Sequence, residues 1–484
     1  MDNRFKMSFF KGSVAASVGT VSSIFFHFIS VMLMTRCLPK NEFGLYVLIL
    51  VIVHSFTILG GLGLDLTLVK FIAGETEEEE EHSAFWPIVI IRILFLVFLG
   101  LTVLFVGHHL STFVDKRVAD YLLLIPVMFF AASFRDLFYS TLQGLQQFTK
   151  YATVQILSAM ARFLLIVVFI ELGLLSVRIL IYIEIFVPLC SIAAQLLLIP
   201  FKLIPDFRLS VDRFTRIIRF GIPLYLNSIL TLIVDRANIF IIGAFLTLEN
   251  IAIYDVADKV PQGFTRLFRS FILVYFPNLS KLFSDGNRED ALKIINRSLI
   301  IISFGISFTV FSSFLFRSEI IILLFSESYL SASLALPLLM LNFCLRAISN
   351  TMGYSLVSAG YSSVPVKVNT FSSVTLIIGS LVAIPVLGIM GAIYSLLLMN
   401  TVSQSIYYFY LSKAGIKVKP LKYLKPLFLM IILAGAYYLL GIEIIIFKLI
   451  FLLSYVYLCR LIIDEFSEIK DTFSSLIHHL KPAN

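Results

Sequence analysis

Eight basic and six acidic side chains interrupt stretches of this sequence that are otherwise apolar. The basic ones are Arg92, Arg135, Arg162, Arg236, Lys259, Arg266, Arg269 and Arg346, and the acidic ones are Asp65, Asp136, Glu184, Asp235, Asp255 and Asp258. A charge facing lipid at mid-helix costs roughly 2.5–3.5 kcal/mol, so the eight cations together would cost on the order of 20–28 kcal/mol. That exceeds the ~5–15 kcal/mol that holds a typical fold together. These groups must therefore face a protein interior or a water-filled chamber. A guanidinium is permanently charged, and its planar fork matches phosphate oxygens. Arg162, Arg266 and Arg346 are the most central and have no acidic neighbour on their own segment, so they are the first candidates to hold an anionic cargo such as a diphosphate. Arg269, Arg92 and Arg236 follow, with Arg92 reading as an isolated charge. Asp65, Asp136, Glu184 and Asp235 are candidates to bind a coupling proton or sodium ion, because enclosed carboxylates titrate or coordinate cations readily.

Spacing reinforces this reading. Asp255, Asp258, Lys259, Gln262, Arg266 and Arg269 follow one another at three or four residues, which places them within roughly a quarter of a helix circumference. Shorter polar stripes are Thr20, Ser23, His27 and Ser30; Gln155, Ser158 and Arg162; Asn227, Thr231, Asp235 and Asn238; and Asn342, Arg346, Ser349, Asn350 and Gly353. Such stripes from both halves of the chain predict an aqueous cavity between them. Arg135 beside Asp136, and Asp235 beside Arg236, point about 100° apart on a helix and are expected to meet partners on other helices. Asp255 and Lys259, one turn apart, are expected to pair. His27 and His54 read as structural.

The elements that position these residues are membrane helices. Hydrophobic residues make up 59% of the 484 residues and charged ones only 14%, against roughly 45–50% and about 25% in soluble domains. At about 20 apolar residues per crossing, spans fall near 12–36, 44–72, 84–107, 119–142, 151–172, 176–200, 217–245, 252–281, 294–316, 330–358, 364–386, 388–411, 422–440 and 443–463. The fold class is an all-α polytopic membrane protein of about fourteen transmembrane helices, or twelve if the last pair does not cross. The run after Lys11 is long enough to span and shows no small-residue cleavage site, so it reads as the first span rather than a leader. With the N-terminus inside, the inner segments hold about 23 basic residues and the outer ones about 7, which makes both termini cytoplasmic. Lys202, Arg208, Arg213, Arg216 and Arg219 and the group from Lys413 to Lys425 belong to the inner set. The net charge of +8 is thus accounted for by inner loops, and no nucleic-acid partner is implied. The run Glu77 to Glu81 reads as a solvated inner loop, and His108-His109 and His478-His479 as solvated ends.

A faint repeat links Leu38-Pro-Lys-Asn-Glu-Phe-Gly-Leu-Tyr46 to Leu246-Thr-Leu-Glu-Asn-Ile-Ala-Ile-Tyr254. It divides the chain into six-helix bundles at 1–201 and 202–415, with two further helices and a cytoplasmic tail at 416–484. Pro126, Pro188, Pro223, Pro261, Pro277, Pro337, Pro365, Pro385 and the cluster Gly60-Gly61-Gly63 are expected to interrupt spans. Cys37, Cys190, Cys344 and Cys459 are widely separated and read as packing residues, with no metal implied. No nucleophile elbow, phosphate-binding glycine loop or zinc-type His-Glu pair is present, which argues against an enzyme. The absence of a large external loop argues against a membrane glycan polymerase or ligase, and the arginine content against an exporter of cationic drugs.

The stretch Arg36-x-Leu-x-x-x-Glu42-Phe43-Gly44-Leu45-Tyr46, then Gly61-Leu-Gly-Leu-x-x-x-Leu-Val-Lys-Phe-Ile72, and later Arg219-Phe-Gly-Ile-Pro-Leu224 with Asp235 following, resembles the polysaccharide flippases of the multidrug/oligosaccharidyl-lipid/polysaccharide exporter superfamily. The resemblance implies two six-helix bundles, an alternately open cavity with a cationic lumen, and an additional helix pair. It implies export of undecaprenyl-pyrophosphate-linked oligosaccharide repeat units across a bacterial cytoplasmic membrane, with no resident cofactor. A surface-polysaccharide polymerase and chain-length machinery are the implied protein partners. Arg162, Arg266 and Arg346 match the cationic lumen by placement, whereas the abundant acids nearby depart from it.

Overall fold

The computed structural model describes residues 3–74, 85–113, 115–199, 211–441 and 443–462, and among them every regular element is a helix. The glutamate run, most of the linker after position 201 and the C-terminal tail lie outside the described residues. Sixteen α-helices follow in order: α1 Asn3–Cys37, α2 Lys40–Gly61, α3 Leu64–Gly74, α4 Phe85–Phe113, α5 Leu124–Gly144, α6 Phe148–Glu171, α7 Val177–Leu198, α8 Val211–Phe245, α9 Leu248–Ser284, α10 Arg288–Leu315, α11 Arg317–Leu324, α12 Ala335–Ser358, α13 Ser363–Leu387, α14 Ile389–Lys413, α15 Pro420–Leu440 and α16 Ile445–Ile462. Twelve of them are long and apolar enough to cross a membrane. The protein is therefore a multi-pass membrane protein. Two more long helices, α5 and α9, fall short because of their polar content, and they carry many of the ionisable residues singled out above.

Three of the expected spans are not continuous. The segment 44–72 breaks at Leu62 and Gly63, whose φ angles of 51° and 69° end α2 in the left-handed region. The chain then restarts as α3 with Asp65 in its first turn, where a carboxylate complements the partial positive charge of the helix end. Segments 119–142 and 330–358 each begin with a separate 3₁₀ turn, Lys116–Tyr121 and Glu327–Ser333, before α5 and α12. Three of the expected interruptions are also absent. Pro126, Pro337 and Pro365 stand in the first turns of α5, α12 and α13, where a missing N–H leaves no bond unmade. Pro188, Pro223, Pro261, Pro277 and Pro385 do lie within helices.

Two compact units divide at Ile253/Tyr254. In the N-terminal unit α1 packs along α6, and α5 packs against α2, α3 and α7. Helix α8 packs on α2 and α3, so it belongs to this unit rather than to the one that follows. The two repeated sequences meet here. Lys40 Nζ donates to Glu249 Oε1 at 2.7 Å, and a Cβ added at Gly44 would lie 1.9 Å from the Leu248 carbonyl oxygen. At the other end of the same contact, a Cβ on Gly63 would lie 2.6 Å from the Gly221 carbonyl oxygen. Lys70 Nζ rests 3.8 Å from the Phe220 ring centre. The glycines of the quoted motifs are thus places where backbones touch.

In the C-terminal unit α10, α12, α13 and α14 pack together, and the hairpin α15–α16 docks on α10. Tyr455 of α16 is fully buried against Phe304, Phe308 and Phe311 and shares a 2.5 Å hydrogen bond with Ser307. Ser303 Oγ donates to the Tyr423 carbonyl. At the other end of α16, Lys448 is buried and donates to Glu319 at 2.6 Å, with Glu443 at 2.9 Å. The added helix pair is therefore held by polar contacts at both ends.

Two tests follow from these contacts. Gly44→Ala and Gly63→Ala should each destabilise the protein by about 1–3 kcal/mol through overpacking. Gly305→Ala, where a Cβ meets nothing within 4 Å, should not; thermal unfolding of the purified protein in detergent reads the difference. Burial alone would raise the Glu319 carboxyl, but its hydrogen bond and charge pairing with Lys448 outweigh this and hold it below its ordinary 4.5. A depressed acid stabilises the fold above its unfolded value and loses that contribution as pH falls through the folded one. Unfolding temperature should therefore drop on acidification below about pH 4.5 in the wild type and drop less in Glu319→Gln.

Candidate functional site

Four helices of the N-terminal unit, with one residue from α2, enclose a cavity of about 400 Å³. Helix α6 presents Tyr151, Gln155, Ser158, Ala159 and Arg162, spaced so that one face lines the wall. Ser23 and His27 come from α1, Arg135, Asp136 and Tyr139 from α5, and Glu184, Val187 and Pro188 from α7; α2 supplies Leu50. Two of the stripes read from the sequence, on α1 and α6, thus meet at one chamber. Pro188 has no N–H to give to the carbonyl of Glu184 one turn earlier, which loosens α7 at the wall.

The charges here are paired. Arg162 Nε donates to Glu184 Oε1 at 2.7 Å and Nη2 donates to the Tyr46 hydroxyl at 2.8 Å, while that hydroxyl donates to Glu184 at 2.5 Å. Arg162 is 9% exposed, and its Nη1, like Gln155 Oε1, is buried without a hydrogen-bond partner. Arg135 donates to Asp136 Oδ1 through Nε at 2.9 Å and Nη2 at 2.8 Å. Direct pairing of these chain neighbours corrects the expectation of partners on other helices. A guanidinium on a long stem can curl around the helix and reach the carboxylate that a short side chain would miss.

Arg92 is not isolated either. It is 0% exposed, donating from Nη1 to the Ser133 carbonyl and from Nη2 to Asp65 Oδ1, each at 2.7 Å. It therefore bolts the start of α3 to α5, away from the cavity. Arg236 and Asp235 lie on α8, the aspartate exposed and the arginine half-buried. The expected stripe on α9 is present in the helix. Lys259 pairs with Asp255 at 2.9 Å as expected, and Gln262 donates to Asp258 at 2.8 Å. Arg266 and Arg269 follow, both exposed. Phe264 and Phe268 pack on Phe343 of α12, and Tyr275 bonds Ser355 of the same helix. At 100° per residue the charged stripe lies on the opposite side of α9 from those contacts. Arg346 of α12 is half-buried, one turn after Asn342, which accepts from Asn400 at 2.7 Å. Arg162 thus belongs to one unit, and Arg266, Arg269 and Arg346 to the other. Among the described residues no three His, Cys, Asp or Glu side chains are grouped to hold a metal ion.

Sequence reasoning missed Tyr46, Tyr139 and Tyr151. Tyr46 showed only as the residue opening α2 in the repeat, and nothing local reveals that its hydroxyl bridges α6 and α7. Tyr139 and Tyr151 pack edge to face with ring centres 5.0 Å apart. Tyr139 follows Arg135 and Asp136, and Tyr151 follows a polar turn, but neither context shows that the two rings meet.

Residues 9–283, more than half of the chain, match the family described as polysaccharide biosynthesis protein. The chain belongs to that family. The succinoglycan biosynthesis transport protein ExoT of Rhizobium meliloti (strain 1021) is similar, at 25% identity over 281 residues. That alignment covers 57% of this chain and 54% of ExoT, so the chain spans about half the length of the curated relative it matches. Among solved structures, the lipid II flippase MurJ in an inward closed conformation aligns with a TM-score of 0.73 at 15% identity, covering 92% of this chain and 99% of that one. An inward-facing multidrug resistance MATE family transporter of the MOP superfamily aligns with a TM-score of 0.70 at 14% identity, covering 84% and 99%. These likenesses establish the fold that the family member adopts, the helical fold shared by MOP-superfamily transporters.

The paired geometry has a measurable consequence. Arg162→Ala leaves the Glu184 carboxylate enclosed without its guanidinium and should destabilise the N-terminal unit by ~3–5 kcal/mol. Adding Glu184→Gln should restore a large part of the loss, as read from unfolding midpoints of the purified single and double variants.

Proposed function

We propose that this protein carries undecaprenyl-pyrophosphate-linked oligosaccharide repeat units from the inner to the outer leaflet of a bacterial cytoplasmic membrane, by alternating exposure of its binding groups to the two sides. Membership of the polysaccharide biosynthesis family carries this reading. A relative named for transport in succinoglycan biosynthesis and a structural neighbour named as a lipid II flippase support a glycan borne on a lipid. Both termini are cytoplasmic in this reading, and a polysaccharide polymerase with its chain-length machinery receives the product outside.

The diphosphate is assigned to cations of the C-terminal unit, Arg266 and Arg269 of the exposed α9 stripe with Arg346 of α12. Exposure supports the α9 pair, since a group that must take and release an anion has to be reachable. Arg92 and Arg162 have a different standing, because both are buried. Asp235, exposed on α8, is the acid proposed to exchange a coupling proton or sodium ion.

Clean deletion in a strain without a redundant flippase should abolish the surface polymer and cause lipid-linked repeat units to accumulate on the cytoplasmic side. Normal polymer in that strain refutes the assignment. Arg266→Ala and Arg346→Ala should each slow flipping about tenfold or more, the loss of a charge-assisted hydrogen bond. Lysine at either site should rescue only partly, because the fork is lost. Resistance to cationic dyes with no effect of Arg266→Ala would point instead to a multidrug exporter.

A further inference from the structure

The cavity of the N-terminal unit is chemically unlike a diphosphate site. Its wall holds two arginines and two carboxylates, so their formal charges cancel. Arg135 is bound through two nitrogens to Asp136, and Arg162 has committed Nε and Nη2 to Glu184 and Tyr46. A polyanion entering here would meet both carboxylates at close range, and arginines that have each given two of their three nitrogens to partners in the wall. Two like charges a few ångströms from an incoming anion repel it.

What the wall lacks is a set of neutral hydrogen-bond partners. Arg162 Nη1, a donor, and Gln155 Oε1, an acceptor, are both buried with no hydrogen bond. They stand seven residues apart on α6, two turns along one face, or about 10 Å. A buried polar atom without a partner is destabilising. Hydroxyl groups can satisfy both once these side chains turn toward the cavity, because each hydroxyl donates and accepts. Ser158 lies between them on α6, and Ser23 and His27 come from α1. The rings of Tyr139 and Tyr151 add apolar faces, against which the C–H side of a pyranose ring can lie. A volume of about 400 Å³ gives room for a sugar ring with its hydroxyls, and lies within the ~300–1,000 Å³ range of small-ligand sites.

We infer that this cavity is a subsite for a neutral sugar ring of the lipid-linked cargo, with the diphosphate held elsewhere. The inference rests on the flippase reading and assigns a separate role to Arg162, Gln155, Ser158 and Tyr139. Arg162 acts here as a hydrogen-bond donor fixed by Glu184 and Tyr46, rather than as a counter-charge.

The test uses the full-length protein in lipid nanodiscs with two kinds of probe: undecaprenyl diphosphate alone, and the same lipid carrying a single glucose, galactose or N-acetylglucosamine. Binding is read by native mass spectrometry. At least one glycosylated lipid should bind the wild type about tenfold more tightly than the bare lipid, and Gln155→Leu and Tyr139→Leu should abolish that preference while leaving bare-lipid binding unchanged. Ser158→Ala, a minimal change, should weaken the preference in the same direction and guards against misfolding of the larger substitutions. Equal wild-type affinity for bare and glycosylated lipids overturns the subsite. So does a preference that survives in all three variants, or a bare-lipid affinity that falls in parallel with the glycosylated one. Flipping of the native lipid-linked repeat unit, measured alongside, keeps the two readings apart. A wild type that flips but shows no sugar preference loses only the subsite, whereas one that neither binds nor flips any of these lipids loses the flippase function as well.

Discussion

A charge enclosed among apolar helices must find an opposite charge or a full set of hydrogen bonds, and much of this structure is arranged around that constraint. Arg92 meets it by gripping Asp65 and two backbone carbonyls, and in doing so joins α3, α4 and α5. Arg162 meets it with Glu184 and Tyr46, joining α2, α6 and α7. Lys448 meets it with Glu319 and Glu443, fastening the C-terminal hairpin. Removing water from such pairs is expensive, and they return that expense only when both partners are held in place. The pairs therefore act as cross-links that specify which helices are neighbours.

Backbone contact is the second organising feature. Lipid tails are as apolar as leucine, so membrane helices associate through close packing and small residues rather than through burial of oil from water. Gly44 against the Leu248 carbonyl and Gly63 against Gly221 are extreme cases of that rule. The break at Leu62 and Gly63 serves the same contact, because it turns α3 so that Lys70 and Phe71 reach Phe220. The glycine positions shared between the repeat, the family motifs and the contact map have a single physical cause.

Charge balance also separates two kinds of polar surface. The N-terminal cavity is partly open, its arginines and carboxylates balance, and its wall also carries serine and tyrosine side chains. The later part of the α9 stripe is exposed and carries successive arginines.

Composition and periodicity alone determined the helical membrane class, the position of nearly every long helix and the polar stripes on α1, α6 and α9, because crossing lipid imposes a length and a polarity that each segment shows by itself. The breaks within 44–72, 119–142 and 330–358 were less legible, since a left-handed pair or a 3₁₀ turn hardly alters local hydropathy. The partners of the charges were not legible at all. Arg92 read as solitary and Arg162 as a free cation, yet Asp65 lies 27 residues from the first and Glu184 lies 22 from the second. Tyr46 is 116 residues from the guanidinium that it contacts. Which arginines stand against a carboxylate is a property of helix neighbours. Only the tertiary structure decides it, because a side chain's effective charge in a low-dielectric interior is set by what stands within a few ångströms in space, not by what precedes or follows it in the chain.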